Sequence, residues 1–243
     1  MSVSIENKVA LITGASRGIG RATALALAAE GADVVITARA EDELQSLAGE
    51  VEALGRKALV VSADVTQESG VAKLYERTMA TFGRVDILVN NAGVGKFGAL
   101  ETMSAADYDW MMNVNMRGTF LVTHAFLPGM QAQKDGYLVF VGSVAGLKGL
   151  AYESVYCASK HAQHGFATAL DEECRQHNIK VSYVAPGGVD TYFALGTGRT
   201  QGDPKLQEYL DSEDVAEAVV YAVKQPPKAR VFLIAMRPMR EAL

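Results

Sequence analysis

Short, strongly apolar runs alternate with longer segments of mixed polarity along nearly the whole chain of 243 residues. The first four are KVALIT at 8–13, DVVITA at 33–38, KALVVS at 57–62 and the run from Val85 to Val89. Residues 137–142, Lys180 to Val184 and a last run around Val231 to Ala235 follow. Runs of five or six residues rich in Val and Ile have strand length, and their lack of polar alternation suits a sheet buried on both faces. Between them, RATALALAAEG and residues 41–54, 67–82, 104–130, 153–177 and 212–224 carry helical spacing. Gly31 and Gly55 stand where two of these should stop, and Ser104 where a third should be capped. Strands alternating with helices imply βαβ units, and no internal repeat or low-complexity linker divides the chain.

The expected architecture is therefore α/β: one domain, residues 1–243, with a doubly wound parallel sheet of about seven strands of the Rossmann type and helices on both faces. In such sheets ligands sit beyond the carboxyl ends of the strands. The unusual residues fall at those ends: Gly14, Arg39, Asp64, Asn90, Ser143 and Pro186 follow the first six strands in turn. That common edge points to one composite site.

At the first strand's end, Thr13-Gly14-Ala15-Ser16-Arg17-Gly18-Ile19-Gly20 leads into a helix with GxxxGxG spacing, not GxGxxG. Glycines permit a tight turn and close backbone approach, and the helix N-terminus offers free N–H groups to a pyrophosphate. At the second strand's end an acidic residue would favour a ribose 2′-hydroxyl. Ala38-Arg39 stands there instead, with no carboxylate until Glu41. Arg39 and Arg17 can both pair with a 2′-phosphate, so NADP(H) is the expected cofactor. Asp64 suits an adenine amino group, or simply caps the helix that follows it.

Tyr156 and Lys160 stand four residues apart in an expected helix, so both side chains share a face. A free phenol titrates near about 10, and a neighbouring ammonium favours the phenolate; reaching 7 needs roughly 4 kcal/mol. Ser143 ends the fifth strand nearby. Cys157 and His161 share the same spacing, but no third group orients them, and Tyr152 has no lysine four residues on.

Together, TGASRGIG (13–20), DV (64–65), NNAG (90–93), Asn115, Ser143, YCASK (156–160) and PGGVDT (186–191) resemble the short-chain dehydrogenase/reductase family, in its subgroup of about 250 residues. The resemblance covers nearly the whole chain. It implies that Asn115, Ser143, Tyr156 and Lys160 form a catalytic tetrad. Tyr156 would be the acid and base, Lys160 would depress its pKa and hold the nicotinamide ribose, and Ser143 would hold the substrate oxygen. Asn115, inside the helix at 104–130, would disturb that helix and hold a water leading to Lys160. The glycine loop (Gly14, Ser16, Arg17, Gly18, Ile19, Gly20) would carry the phosphates. Arg39, Asp64, Val65, Asn91, Ala92 and Gly93 would hold the adenosine half. Pro186, Gly187, Val189 and Thr191, with Tyr156 and Lys160, would surround the nicotinamide. Two departures stand out: a second glycine in PGGVDT, and a C-terminal RVFLIAMRPMREAL without the Gly-rich tail of many bacterial ketoacyl-thioester reductases. The second bears on tetramer geometry and on that particular activity.

Residues 189–212 are expected to form a substrate lid, with Tyr192, Phe193 and Leu195 near its hinge and Gly196, Gly198 and Gly202 giving mobility. With Val94, Val144, Leu147 and Leu150 they describe a pocket that is apolar away from the reacting carbonyl. The expected activity is NADP(H)-dependent reduction of a 3-oxoacyl thioester, such as a 3-oxoacyl-[acyl-carrier-protein], or a related ketone. The alternatives are an NADP-dependent 3-hydroxy acid or alcohol dehydrogenase, and a non-catalytic NADP-binding sensor. Lys96, Lys148 and Arg199 are the candidates for contact with a carrier protein.

Net charge is −5 and the cations are scattered, which gives no case for nucleic-acid binding. No apolar run reaches membrane-spanning length, and MSVSIENKVALIT lacks the pattern of a signal peptide. The two cysteines, Cys157 and Cys174, lie about 25 Å apart along one expected helix, too far for a disulfide, which suits a reducing cytoplasm. No Cys/His cluster has metal-ligand spacing. The helices at 104–130 and 153–177 are apolar on more than one side, so self-association as a dimer or tetramer is expected.

Overall fold

The computed structural model describes residues 3–200 and 202–240. The ends of the expected domain and Gln201, within the expected lid, lie outside the described residues. Seven strands form one parallel sheet: β1 (Val9–Thr13), β2 (Asp33–Ala38), β3 (Ala58–Ser62), β4 (Ile87–Asn90), β5 (Gly136–Val141), β6 (Ile179–Pro186) and β7 (Leu233–Met236). Their order is β3-β2-β1-β4-β5-β6-β7, with the reversal between β1 and β4. Each strand pair is parallel and in register, from Leu11 opposite Val35 to Val184 opposite Ile234.

Alternate residues of each strand feed two cores. Ala10, Ile12, Val34 and Ile36 point to one face, against α1 (Gly18–Ala29), α2 (Glu41–Ala53) and α7 (Ser212–Val223). Leu11, Val35, Leu88, Leu138 and Tyr183 point to the other, against α3 (Glu68–Phe82), α5 (Thr119–Gln133) and α6 (Ser154–Cys174). Burying one Leu or Val side chain contributes about 1.5–3 kcal/mol, so helices that are individually marginal are held by the sheet.

The segment expected as one helix over 104–130 is divided. Ser104 caps α4 (Ala105–Met112) in a reciprocal box with Asp107. A π-helical turn, Asn113–Gly118, then separates α4 from α5. Propensity does not disclose such a turn, because it is fixed by the tertiary partners of Asn115. The helix expected to run to 177 ends at Cys174 and closes in a tighter turn, Arg175–His177. Both cysteines are free and buried on α6. No helix among the described residues is long and apolar enough to cross a membrane.

Candidate active site

The carboxyl ends of the strands open into one cavity of about 990 Å³. At its β1 end, Gly14 and Gly18 take φ of +63° and +55°, values that favour glycine. Asn91 braces this loop: its side-chain amide donates to the carbonyls of Thr13 (2.9 Å) and Gly14 (3.1 Å), while its backbone N–H and that of Ala92 donate to Thr13 Oγ1. A methyl group on Gly20 would overlap the Asn91 amide and the Gly14 carbonyl. Gly20→Ala should therefore weaken dinucleotide binding at least tenfold and lower Tm, as read by ligand fluorescence and a melting curve. No side chain caps α1 at Arg17, so the first N–H groups of that helix have no side-chain partner. A diphosphate-bearing cofactor fits this cradle.

Arg17 and Arg39 are both exposed and line the cavity; Glu43 of α2 lines it too. The Arg17 guanidinium lies 5.6 Å from the ring centre of Tyr192. Asp64 is partly used locally, since its Oδ1 accepts from the N–H and the hydroxyl of Thr66. Ser16, Ile19, Val65 and Gly93 line the cavity, as do Pro186, Gly187, Val189 and Thr191 on the opposite side.

Tyr156, Lys160 and Ser143 all line the cavity. Ser143 leaves β5 extended and caps a short turn at Val144–Gly146, its hydroxyl accepting from Ala145 N–H at 3.1 Å. The same side chain lies beside the Tyr156 phenol, close enough to favour its ionised form. Lys160 is 3% exposed; its ammonium donates to the Val141 carbonyl and lies 5.8 Å from the centre of the Tyr156 ring. The electrostatics differ from the expectation of a lysine-depressed phenol. Burial pushes the Tyr156 phenol well above its usual range, and the neighbouring Ser143 side chain opposes this only in part. Burial also lowers Lys160 to about 7. Phe97 and Phe193 cause much of that dryness: each ring centre is 5.6 Å from that of Tyr156.

Of the expected catalytic and cofactor-binding residues, Asn115 and Gly20 do not line the cavity; nor does Asn90 at the end of β4, which is buried and donates to Thr123 Oγ1 at 2.9 Å. Asn115 is fully buried behind the cavity, with its side chain committed to protein partners. Oδ1 accepts from Val94 N–H (2.8 Å), and Nδ2 donates to the Val94 carbonyl and to Ser159 Oγ (both 2.9 Å). Ser159 in turn donates to the Tyr156 carbonyl at 2.7 Å. Asn115 thus ties the loop after β4 to the first turn of α6. Its own carbonyl, loosened by the π turn, accepts from Thr119 Oγ1 at 2.7 Å.

From the segment expected to be a lid, Val189, Thr191, Tyr192, Phe193, Arg199 and Tyr209 line the cavity. Thr197 fastens the segment to the loop after β4, its carbonyl accepting from Phe97 N–H (2.7 Å) and its hydroxyl donating to the Gly95 carbonyl (2.8 Å). Arg199 turns inward, donating to the Val189 carbonyl at 2.9 Å over the rings of Phe193 and Tyr209. Lys96 pairs with Asp107 at 2.8 Å. Of the three cations expected to meet a carrier protein, two are thus engaged within this chain. Val94, Val144 and Leu150 line the cavity as expected, whereas Leu147 packs into the core under α6. Phe97, Trp110 and Tyr209 line it unforeseen. Cys157 and His161 do not pair: Cys157 Sγ accepts from Leu150 N–H, and the His161 ring reaches the Cys157 carbonyl.

The family model for short chain dehydrogenase matches residues 8–201. An uncharacterized oxidoreductase of Staphylococcus saprophyticus is 35% identical over 239 residues, covering 98% of this chain and all of that one. An alcohol dehydrogenase from the archaeon Thermococcus sibiricus, solved with 5-hydroxy-NADP, superposes with a TM-score of 0.90 at 33% identity, covering 98% and 99% of the two chains. A 3-ketoacyl-(acyl-carrier-protein) reductase from Brucella melitensis, solved with NADH, gives 0.88 at 30% identity with the same coverage. With a parallel sheet switching direction at β1 and β4, a glycine cradle at that switch and a Ser–Tyr pair across the cavity, the chain belongs to the short-chain dehydrogenase/reductase family of nicotinamide-dependent oxidoreductases.

Proposed function

We propose that this protein is an NADP(H)-dependent carbonyl reductase acting on a ketone with an apolar flank. The observation that carries the reading is the placement of Ser143, Tyr156 and Lys160 on the wall of one cavity, with the Ser143 side chain beside the Tyr156 phenol. A reduced nicotinamide dinucleotide held by the glycine loop and by Pro186, Gly187, Val189 and Thr191 would supply the hydride for the carbonyl carbon. Ser143 and Tyr156 both present O–H groups to the substrate oxygen, which fixes the carbonyl. As charge grows on that oxygen, Tyr156 gives up its proton to it. Lys160 returns a proton to the phenolate, a task suited to an ammonium that titrates at about 7. Phe97 and Phe193 pack against the phenol ring and limit the access of water to it. Asn115 is the brace that fixes α6 against the loop after β4. The 189–212 segment serves as the lid, fastened through Thr197.

Preference for NADP(H) rests on Arg39 and Arg17 at the adenosine end, each able to pair with a 2′-phosphate. Arg39→Ala should lower kcat/KM with NADPH about tenfold to a hundredfold and leave that with NADH nearly unchanged. A wild-type preference for NADH would overturn the cofactor assignment. A 3-oxoacyl thioester is the second reading, favoured by the likeness to the Brucella reductase and by Lys148 at the cavity wall. A small ketone fits the aromatic walls without using a carrier protein. Comparing NADPH consumption with acetoacetyl thioesters and free ketones separates the two. Free, buried cysteines suit a reducing cytoplasm, and exposed Tyr108 and Phe120 on α4 and α5 suit self-association.

A further inference from the structure

We propose that Tyr183 is a positioning residue that sets Ser143 against Tyr156 by tying the end of β5 to α6. The inference deepens the carbonyl reductase reading and rests on it. Tyr183 stands in the middle of β6 and is fully buried. Its phenol crosses beneath β5 and ends between two segments of the site. The hydroxyl accepts from Ser143 N–H at 3.4 Å and donates to the Lys160 carbonyl at 3.2 Å.

Space for this reach is made by two glycines. A methyl group on Gly142 or Gly146 would overlap the Tyr183 phenol, and one on Gly146 would also press within 2.7 Å of the Lys160 carbonyl. His164, one turn beyond Lys160 on α6, lies with its ring centre 4.8 Å from that of Tyr183 and steadies the phenol from the side. The strand end, the turn at Val144–Gly146 and the helix thus converge on one hydroxyl.

This matters because Ser143 and Tyr156 come from different elements. Asn115 holds α6 to the loop after β4, but it makes no hydrogen bond to Ser143. The Tyr183 hydroxyl joins the Ser143 backbone directly to the helix that carries Tyr156 and Lys160. A shift of an ångström in Ser143 would misaim the hydroxyl that orders the substrate oxygen. Tyr183 touches no reacting atom, so its effect should appear in the chemical step and not in cofactor binding.

The test replaces Tyr183 by Phe, which keeps the ring and removes the hydroxyl. Ser182→Ala is the comparison: it removes a neighbouring hydroxyl on β6 that donates to Val231 and faces away from the site. Tyr183→Phe should lower kcat about tenfold to a hundredfold, with KM for NADPH within about twofold. The primary isotope effect with C4-deuterated NADPH should rise, and the Ser143 amide should exchange with solvent faster. Ser182→Ala should lose similar thermal stability at unchanged kcat. Tyr183→Phe with wild-type kcat, or equal kcat losses in the two variants, would overturn the positioning role. If the wild type turned over no carbonyl, the reductase reading would fall, and amide exchange alone would decide whether Tyr183 holds Ser143: an unchanged rate would refute it.

Discussion

Tyr156→Phe should lower kcat about a thousandfold while leaving NADPH binding within about twofold. The phenol lies on the cavity wall beside Ser143, in the same cavity that the glycine cradle and Thr191 to Phe193 line. Phe keeps the ring that packs between Phe97 and Phe193, so the fold and the aromatic walls should survive. What disappears is the proton that the substrate oxygen must receive. A non-catalytic NADP-binding sensor would lose nothing measurable in this variant, because its cofactor affinity would be the whole of its activity. Stopped-flow NADPH oxidation and a fluorescence titration on the same preparation separate the two readings.

Lys160→Met should produce the second large change, in stability as well as in rate. Burial holds the folded-state Lys160 at about 7, whereas an unfolded lysine titrates near about 10.4. Between those values the unfolded chain binds a proton that the folded chain has released. Stability of the cofactor-free protein therefore climbs as pH rises through that window. Below about 7 both states are protonated, and the full cost of the buried charge is present. The shift corresponds to several kcal/mol across the whole window. Tyr156 acts in the opposite sense only above about 10, where the unfolded phenol ionises before the buried one does. Melting curves from pH 6.5 to about 9.5 should thus rise for the wild type and be flatter for Lys160→Met, which should be the more stable protein at the acid end. Parallel curves would show that the lysine is not desolvated as described. Turnover of the variant should fall as well, because the phenolate would lose its proton source.

The sheet was legible because its signal is local. Five-residue apolar runs with β-branched residues can be recognised one at a time, and the strand ends then line up whatever the order of the strands. The same logic brought Gly14, Arg39, Asp64, Ser143 and Pro186 to one cavity, whereas Asn90, expected with them, is buried against Thr123. Other features depend on partners distant in sequence. The π turn at Asn113–Gly118 lies in a stretch with ordinary helical spacing; its shape is coupled to Asn115 gripping Val94, 21 residues away. Tyr183 reads as another core residue in KVSYVAP, and its hydroxyl has meaning only once Gly142 and Gly146 are packed against it. The charge state of Lys160 also depends on depth. Helical spacing predicted a cation beside a phenol, but the phenol and the ammonium are both buried, and desolvation opposes both charged forms. Arg199 was legible as a cation of the 189–212 segment, though its inward turn depends on the rings of Phe193 and Tyr209.

The central claim is that Tyr156 gives a proton to a carbonyl oxygen as the carbonyl carbon takes hydride from NADPH. Its most direct test is a single turnover with C4-deuterated NADPH and a panel of ketones and acetoacetyl thioesters, with the alcohol product analysed by mass and by NMR. The account predicts one deuterium on the carbinol carbon with wild-type protein, and no labelled alcohol on the same timescale from Tyr156→Phe loaded with the same cofactor. Labelled alcohol formed at the wild-type rate by Tyr156→Phe, or no transfer to any carbonyl by a wild-type protein that binds NADPH, would contradict it.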